Sequence, residues 1–161
     1  MKKVKEYFWY IIILIVVILV KSFVVSTVRV NGNSMYKTLH NKDLMILNKI
    51  KYNFKNVERF DIVVVKYENH YIIKRVIALP GEVIEYKDNV LYINDRKVQD
   101  KYNSIEQDNF SLELGNDEYF VMGDNRGDSL DSRIIGPIDK DDIMGNSEFI
   151  IFPFTRFGNA K

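Results

Sequence analysis

The sequence predicts a mainly β fold, an antiparallel β-sheet domain behind one N-terminal transmembrane helix. Two patterns support this prediction. One long uncharged run lies near the N-terminus, and the later apolar runs are short, rich in β-branched and aromatic residues, and bounded by turn residues. The 161 residues leave room for the anchor and one domain of ordinary size, and we find no long amphipathic helical period after residue 30.

The N-terminal segment has the composition of a membrane anchor. Lys2, Lys3 and Lys5 precede an uncharged run over residues 7–20, which as a helix would span about 21 Å. Because a hydrocarbon core is about 30 Å thick, we expect the helix to continue through Lys21, whose ammonium would reach the outer interface. The basic start orients the N-terminus inward. The predicted division is a cytoplasmic N-terminus at 1–6, a transmembrane anchor at 7–28 and an extracytoplasmic catalytic β domain at 29–161.

A cleaved secretory signal peptide would share the basic start and the apolar core. Residues 22–28 contain no pair of small residues spaced as in an Ala-x-Ala cleavage site, and Phe23 stands where a small residue is needed. An uncleaved anchor is therefore the favoured interpretation. It predicts a single-pass protein of the cell membrane, with the lipid bilayer as a partner.

Eight segments of the body have strand composition, and turn residues separate them. These segments are residues 24–30, 44–50, 62–67, 71–79, 83–86, 90–93, 119–122 and 148–152. Turns are predicted at residues 80–81, 87–89 and 94–96, the last two at hairpin spacing. Residues 100–115 are the least patterned and are predicted as a surface excursion or irregular strand.

Composition excludes several classes of protein and site. The net charge is +1 and the charged residues are interspersed, which is not the basic footprint of a nucleic-acid binder. The chain has no cysteine, so disulfides, thiolate zinc sites and a cysteine nucleophile are excluded. The polar run at residues 123–133 lacks the carboxylate spacing and closing Glu of an EF-hand, which disfavours calcium. We expect no metal and no cofactor.

Ser34, a few residues beyond the anchor, is the candidate nucleophile, and a serine needs a base within hydrogen-bond reach. His40 and His70 both lie among neighbours typical of a surface. Lys74 lies instead in the apolar run at 71–79, which predicts burial on at least one face. Burial lowers a lysine pKa from about 10.4 and yields a neutral amine able to accept the serine proton. A lysine whose amine reaches solvent at a strand edge is the alternative.

Four motifs together resemble bacterial type I signal peptidases of the short Gram-positive form, membrane-bound Ser/Lys proteases that cut signal peptides from exported proteins. GNSM at 32–35, followed by Thr38 and Leu39, resembles the family's nucleophile motif, and KRVIALPGE at 74–82 resembles its base-bearing strand. The family's third motif is similar to the run from GDNR to DSR at 123–133. A further groove-lining strand motif is similar to RFDIVV at 59–64. The order and spacing of the set agree over nearly the whole chain.

The resemblance implies a role for each matching position. Ser34 would be the nucleophile, Lys74 the general base, and the Ser34 N–H one oxyanion donor. Ser129 would hold the lysine amine in place. The other implied residues are Asp124, Asp131 and Arg133 as structural positions, the last two as an ion pair, and Met35, Ile62, Val63 and Ile73 in the substrate groove.

Three positions depart from the family's pattern. Gly32 stands where many relatives carry a serine whose hydroxyl completes the oxyanion hole, so a backbone group or a water would have to serve. Lys37 stands where proline is common, and Phe60 where glycine is common. These two changes bear on the shape of the nucleophile loop and of the groove.

The sequence therefore predicts a serine endopeptidase that removes signal peptides from exported preproteins at the outer face of the membrane. The substrate would bind extended, adding a strand to a groove edge, with small side chains at the first and third positions before the cut. The alternative from another class is a signal-peptidase-like assembly factor for surface pilins. A self-cleaving Ser/Lys peptidase of the SOS-repressor type would carry a DNA-binding domain where this chain has its anchor.

Overall fold

The computed structural model describes residues 2–102 and 108–160 and begins with a long apolar helix. Helix α1, Lys2–Leu19, continues as a π-helical turn over Val20–Val24. The span Tyr7–Val24 has a mean hydropathy of 2.5, and none of it is buried. The helix is therefore long and apolar enough to cross a membrane.

The helix ends earlier than the sequence predicts and passes directly into strand β1, Val25–Arg29. Residues 25–28, assigned to the anchor from the sequence, pair with strand β2, Leu44–Asn48, in antiparallel register. Val25, Thr27 and Val28 are β-branched, which favours extended backbone once a partner strand is available. The Lys49 ammonium also donates a hydrogen bond to the Ser22 carbonyl at 3.0 Å, which fastens the end of the helix to the body.

Eight strands form the larger sheet, and all of its pairs are antiparallel. Besides β1 and β2, its strands are β3 (Ile62–Tyr67), β4 (His70–Ala78), β9 (Glu118–Met122), β10 (Ile138–Asp139), β11 (Ile143–Phe152) and β12 (Gly158–Asn159). Their order is β1-β2-β11-β3-β4-β9-β10, with β12 paired to β11.

A second sheet of four strands is inserted between β4 and β9. Its strands are β5 (Val83–Lys87), β6 (Val90–Ile93), β7 (Arg96–Val98) and β8 (Phe110–Glu113), in the order β7-β6-β5-β8. Two-residue turns join β5 to β6 and β6 to β7, and all four turn residues have positive φ, from 49° to 66°. Such turns match the twist of paired strands and favour Asn and Asp, which explains Asp88, Asn89, Asn94 and Asp95.

Short helical turns and three apolar clusters complete the body. The turns are α2 (Lys51–Phe54), α3 (Ser132–Ile135) and the 3-10 turns Lys140–Asp142 and Phe154–Arg156. The first cluster, which includes Met35, Ile62 and Ile73, lies under the nucleophile turn. The second joins β4 and β9 to the four-stranded sheet, and the third covers the other face of β3 and β4. The predicted mainly antiparallel β fold behind one N-terminal helix is confirmed.

Candidate active site

Ser34 lies in a tight loop that follows β1. The ends of the loop are held by two backbone bonds, from Val30 N–H to the Asp43 carbonyl and from Lys42 N–H to the Val30 carbonyl, both 2.8 Å. Met35 and Leu39 are fully buried in the first cluster, and Leu39 N–H donates to the Met35 carbonyl at 2.7 Å. The buried side chains of Met35 and Leu39 thus hold in place the turn that begins at the half-buried Ser34.

The structure brings Ser34 and Lys74 together, with 2.8 Å between Ser34 Oγ and Lys74 Nζ. In the larger sheet three strands, β2, β11 and β3, separate β1 from β4. Contact between a loop that follows β1 and a side chain of β4 therefore requires the sheet to curl. The curl accumulates from the ordinary twist of neighbouring strands and brings the β1 end of the sheet round to β4.

Lys74 is only 2% exposed, as its apolar strand predicts. On its own face of β4 it lies between Ile72 and Val76, and Val63 is directly opposite on β3. Burial lowers the pKa of Lys74 to about 8, against an opposing effect of Asp131 and with help from the positive charge of Arg133. At pH 7.4 about one molecule in five then carries a neutral amine.

The loop formed by residues 123–133, here called the third loop, packs directly on the nucleophile. Asn125 N–H donates to the Ser34 carbonyl at 2.9 Å, and the Asn125 side chain donates to the Asn33 carbonyl at 3.2 Å. A Cβ at Gly123 would lie 2.4 Å from the Ser34 carbonyl oxygen and 2.2 Å from Ser129 Oγ. Only glycine allows this approach, so the loop and the nucleophile turn are fitted to each other.

Asp131 and Arg133 form the ion pair that the resemblance implies. Arg133 donates from Nε to Asp131 Oδ1 at 2.9 Å and from Nη2 to Oδ2 at 2.8 Å. Asp131 also accepts from Gly123 N–H at 2.9 Å. Burial would raise the pKa of Asp131, but these donors lower it below its usual range. The carboxylate therefore stays charged, and its hydrogen bonds to Gly123 and Arg133 stabilise the third loop near Lys74.

Ser129 differs from its predicted role as the residue that holds the lysine amine. Its Oγ is buried beside Gly123 and close enough to Asp131 to help lower the pKa of that carboxyl, but it makes no hydrogen bond to Lys74. The hydrogen bond to Lys74 is thus not formed, and the Lys74 amine is held instead by Ser34. Ser129 therefore packs inside the third loop, next to the residue that contacts the Ser34 carbonyl.

Asp124, predicted as a structural residue, is completely buried and pairs with Arg75. The sequence analysis did not identify Arg75 as a residue of the site. The Arg75 guanidinium donates to both carboxylate oxygens, at 2.8 and 2.7 Å. It also donates to the Phe60 carbonyl at 2.8 Å and to Thr38 Oγ1 at 3.3 Å. The signal in the sequence was a second charged residue in an apolar strand, since buried arginine requires acceptors.

The predicted groove residues fall on two different faces. Met35, Ile62 and Ile73 pack together in the first cluster, and Ile73 retains 9% exposure. Val63 packs in the third cluster, because successive residues of β3 point to opposite faces. Val63 lies directly opposite Lys74 and is part of the apolar surroundings of the amine.

The predicted oxyanion positions are the backbone N–H of Ser34 and the position of Gly32. Among the residues that the structure describes, no acceptor takes the Ser34 N–H. Gly32 has φ of +96°, and its N–H donates to Asn41 Oδ1 at 3.2 Å on the exposed side of the loop. His40 and His70 are exposed, and His40 stacks on Tyr36 with 5.3 Å between ring centroids. The amine that contacts Ser34 Oγ is that of Lys74.

The arrangement resembles known proteins in sequence and in structure. A sequence model of the family described as Signal peptidase, peptidase S26, matches residues 4–152. Signal peptidase I of Bacillus amyloliquefaciens is 35% identical to this chain and covers 94% of it, with 89% of the relative covered. Signal peptidase I T of Bacillus subtilis strain 168 is 37% identical, with 94% of this chain and 86% of the relative covered.

The structural comparison agrees with the sequence comparisons. The crystal structure of a signal peptidase I from Enterococcus faecalis V583 is 31% identical and has a TM-score of 0.52, with 57% of this chain and 97% of that chain covered. The family match spans most of the chain, so the resemblance stated from the motifs is confirmed. The chain belongs to the signal peptidases of the peptidase S26 family, enzymes that cleave signal peptides from preproteins.

Proposed function

We propose that this signal peptidase cleaves with a Ser/Lys dyad, in which Ser34 is the nucleophile and Lys74 the general base. The observation that carries the proposal is the 2.8 Å separation of Ser34 Oγ and Lys74 Nζ, within hydrogen-bond reach for proton transfer. The second support is the burial of Lys74, which lowers its pKa to about 8 and supplies neutral amine near physiological pH.

The reaction then follows in two steps. The neutral Lys74 amine takes the proton of Ser34 as Oγ attacks the scissile carbonyl, and the lysine ammonium returns that proton to the leaving amine. This leaves an ester between Ser34 and the signal peptide. Lys74, neutral again, takes a proton from a water that attacks the ester, and the Ser34 hydroxyl is restored when the ammonium gives the proton back.

The Ser34 N–H would stabilise the oxyanion of both tetrahedral intermediates, because no described residue competes for it. We assign the second donor to the backbone N–H of Gly32, at the position where many relatives carry a serine. The Gly32 N–H now donates to Asn41 Oδ1 over a long 3.2 Å bond on the exposed side of the loop. It can therefore give up that bond and donate to the developing oxyanion instead.

The signal peptide would bind as an added strand beside the dyad. β9 pairs with β4 only from Arg75 onward, so the part of β4 that precedes Lys74 pairs on the β3 side alone among the described strands. β1, which leads to Ser34, lies at the end of the sheet. Backbone groups on these two edges can pair with an extended peptide. The buried side chains of Met35, Ile62 and Ile73 would form a shallow floor that admits small residues.

We also propose that the protein is a single-pass protein of the cell membrane. The helical segment Lys2–Val24 would form the anchor, with Lys2, Lys3 and Lys5 holding the N-terminus in the cytoplasm. The catalytic domain would then begin at Val25 rather than at residue 29, and it would face outward. The bilayer presents both enzyme and signal peptide at one surface, so the substrates are preproteins held in that membrane.

Pilin precursors are a class of preprotein that this site would accept. An assembly factor for pilins, the alternative function, has no need of a serine within hydrogen-bond reach of a buried lysine. The geometry therefore favours proteolysis over a scaffold role. Survival of pilin polymerisation in Ser34→Ala, with cleavage of the precursor lost, would favour the scaffold role instead.

Cleavage of a purified preprotein in detergent tests the dyad. Ser34→Ala and Lys74→Ala are each expected to lower turnover by about 10⁴-fold or more, since the members of a dyad act as a unit. Ser111→Ala on β8 and Lys66→Ala on β3, both exposed, serve as controls and should retain normal turnover. Normal turnover in both dyad variants would refute the assignment.

A further inference from the structure

Residues 100–102, between β7 and β8, approach the candidate site from the side of the four-stranded sheet. Local sequence pattern gave this stretch no structure, yet the Asp100 side chain is only 4% exposed and Tyr102 is half-buried. Two arginines meet these residues. One, Arg126, belongs to the third loop, and the other, Arg75, directly follows Lys74 on β4.

Asp100 holds Arg126 inside a closed polar network. Arg126 Nη2 donates to Asp100 Oδ1 at 2.8 Å, Nη1 donates to the other carboxylate oxygen, and Nη1 also lies 2.9 Å from the Tyr86 hydroxyl. Tyr86 donates its own hydroxyl proton to Asp100. Burial would raise the pKa of Asp100, but the hydrogen bonds and charge of Arg126 lower it, so the pair stays ionised.

The same arginine reaches the backbone of the site. Arg126 Nε donates to the Gly123 carbonyl at 3.0 Å, and Gly123 is the residue that packs against the Ser34 carbonyl and Ser129 Oγ. The Arg126 side chain has no exposed surface. A shift of its guanidinium therefore moves Gly123, and with it the third loop, relative to the dyad.

Tyr102 contacts the second arginine. The Arg75 guanidinium lies over the Tyr102 ring, 4.3 Å from its centroid, at cation–π distance. Asp100 Oδ1 accepts from Tyr102 N–H at 3.0 Å, which ties the two contacts into one turn. Arg75 in turn joins Asp124 of the third loop to Thr38 of the nucleophile loop.

We propose that Asp100 and Tyr102 are positioning residues for the cleavage reaction, which hold Arg126 and Arg75 so that the third loop keeps Lys74 desolvated beside Ser34. The proposal rests on the dyad assigned above. Neither residue touches the reacting atoms, and each acts through one arginine. The four-stranded sheet, inserted between the strands that carry Lys74 and the third loop, thereby becomes a support for the site.

A purely structural role and a positioning role predict different pH profiles. If the third loop moves away, water reaches Lys74, the desolvation that lowers its pKa is relieved, and the midpoint of the pH–rate profile rises. Part of the lost turnover then returns at alkaline pH. A variant that only loses folded protein keeps the midpoint and loses activity equally at every pH.

The test uses the full chain in detergent with a preprotein substrate and compares Asp100→Asn and Tyr102→Leu with the natural protein. Each is expected to lower kcat about 10- to 100-fold with KM little changed, because a misplacement of about 1 Å costs that much. The midpoint of the pH–rate profile should rise by at least half a unit. Tyr102→Phe keeps the ring and should restore the natural kcat and midpoint.

Asp95→Asn and Tyr92→Leu, in the same sheet but outside these networks, are the matched controls and should leave both quantities unchanged. A natural kcat and midpoint in both test variants would overturn the proposal, as would a loss that follows the folded fraction at an unchanged midpoint. If Ser34→Ala and Lys74→Ala abolish cleavage while these variants do not, the dyad stands and the positioning role falls. Normal turnover in the dyad variants would instead remove the assignment on which it rests.

Discussion

Two opposing effects set the pKa of Lys74, because burial destabilises its charged form and the nearby Asp131 carboxylate stabilises it. Ile72, Val76 and Val63 surround it on its own face of the sheet, and Asp131 keeps part of the charge by attraction. The balance leaves the pKa at about 8. A lysine at its ordinary value near 10.4 would be neutral in only about one molecule in a thousand at physiological pH.

The pH dependence of kcat/KM follows from this balance. Because the neutral amine is the reactive form in the proposed mechanism, activity should rise about tenfold per unit below pH 8 and level off above about pH 9. Cleavage of a preprotein measured from pH 6 to pH 10 gives the midpoint of the free enzyme. A rise centred near 10.4 would mean that Lys74 is solvated, and a profile flat through pH 8 would exclude it as the base.

Gly123→Ala should disable the site without removing any functional group. The new Cβ would lie 2.4 Å from the Ser34 carbonyl oxygen and 2.7 Å from Ser129 Cβ, so backbone must move. We expect kcat to fall by about 100-fold, since small misplacements of reacting groups cost this much. In Gly115→Ala, the control, the Cβ meets only the flexible Glu118 carboxylate at 3.2 Å, and kcat should be unchanged. Equal activity in the two variants would contradict the close fit.

At the scale of elements, a buried ion pair joins β4 to the third loop. Arg75 and Asp124 are 7% and 0% exposed in their side chains, and both hydrogen bonds between them are short. Removal of one partner leaves the other charge buried and unpaired, which destabilises proteins by about 3–5 kcal/mol.

A double-mutant cycle separates the interaction energy between the two charges from the cost of burying each of them. Asp124→Leu alone and Arg75→Met alone should each lower the free energy of unfolding by about 3–5 kcal/mol, whereas the double variant should lose much less than the sum. Chemical denaturation followed by circular dichroism measures each value. Additive losses would show that the two charges do not interact. The exposed Lys66→Ala on β3 controls for substitution in the sheet and should change little.

Local patterns predicted the elements that local chemistry determines. Residues 62–67 and 90–93 form strands with the predicted bounds, and the Asn- and Asp-containing turns adopt the positive φ that these residues tolerate. Strand β8 was not resolved by its pattern, because its partner β5 lies more than twenty residues earlier in the chain. β1, Val25–Arg29, falls within the strand predicted at 24–30, whereas the predicted anchor extends to residue 28, because hydropathy does not register pairing with β2.

Some residues of the site could likewise be predicted from the sequence, and others could not. Ser34 and Lys74 could be paired from chemistry and motif, because a serine without a suitable histidine needs another base. The motif names Ile62 and Val63 together, but it does not show that they pack in different clusters, because alternate residues of a strand face opposite sides. Asp100 could not be identified, since its partner Arg126 is distant in sequence and the two meet only through the packing of two sheets.

At the scale of the whole molecule, the site is assembled from the start, the middle and the end of the chain. Ser34 comes from the loop after β1, Lys74 from the centre of the larger sheet, and the third loop from the chain that leaves β9. The C-terminal segment also contributes, because Arg156 donates to the Thr38 carbonyl at 2.7 Å and pairs with Asp43 at 3.3 Å. The nucleophile loop therefore depends on contacts from distant parts of the chain.

The boundary between the N-terminal helix and strand β1 predicts different outcomes for two N-terminal truncations. Removal of residues 2–22 keeps β1 and its five pairs with β2, so the domain should fold and cleave a short soluble peptide with little change in kcat. Its cleavage of membrane-held preproteins should fall, since anchoring at one surface raises the effective concentration of enzyme and substrate.

Removal of residues 2–29 deletes β1 itself and leaves β2 as an unpaired edge beside the nucleophile loop. We expect this shorter form to lose most of its peptide cleavage and to unfold at a lower temperature, because the segment that orients Ser34 is no longer paired. Peptide turnover and thermal unfolding of the two forms, compared with the full chain, decide the matter. Equal turnover in both would show that β1 does not position the nucleophile, whereas loss in both would extend that role to the helix.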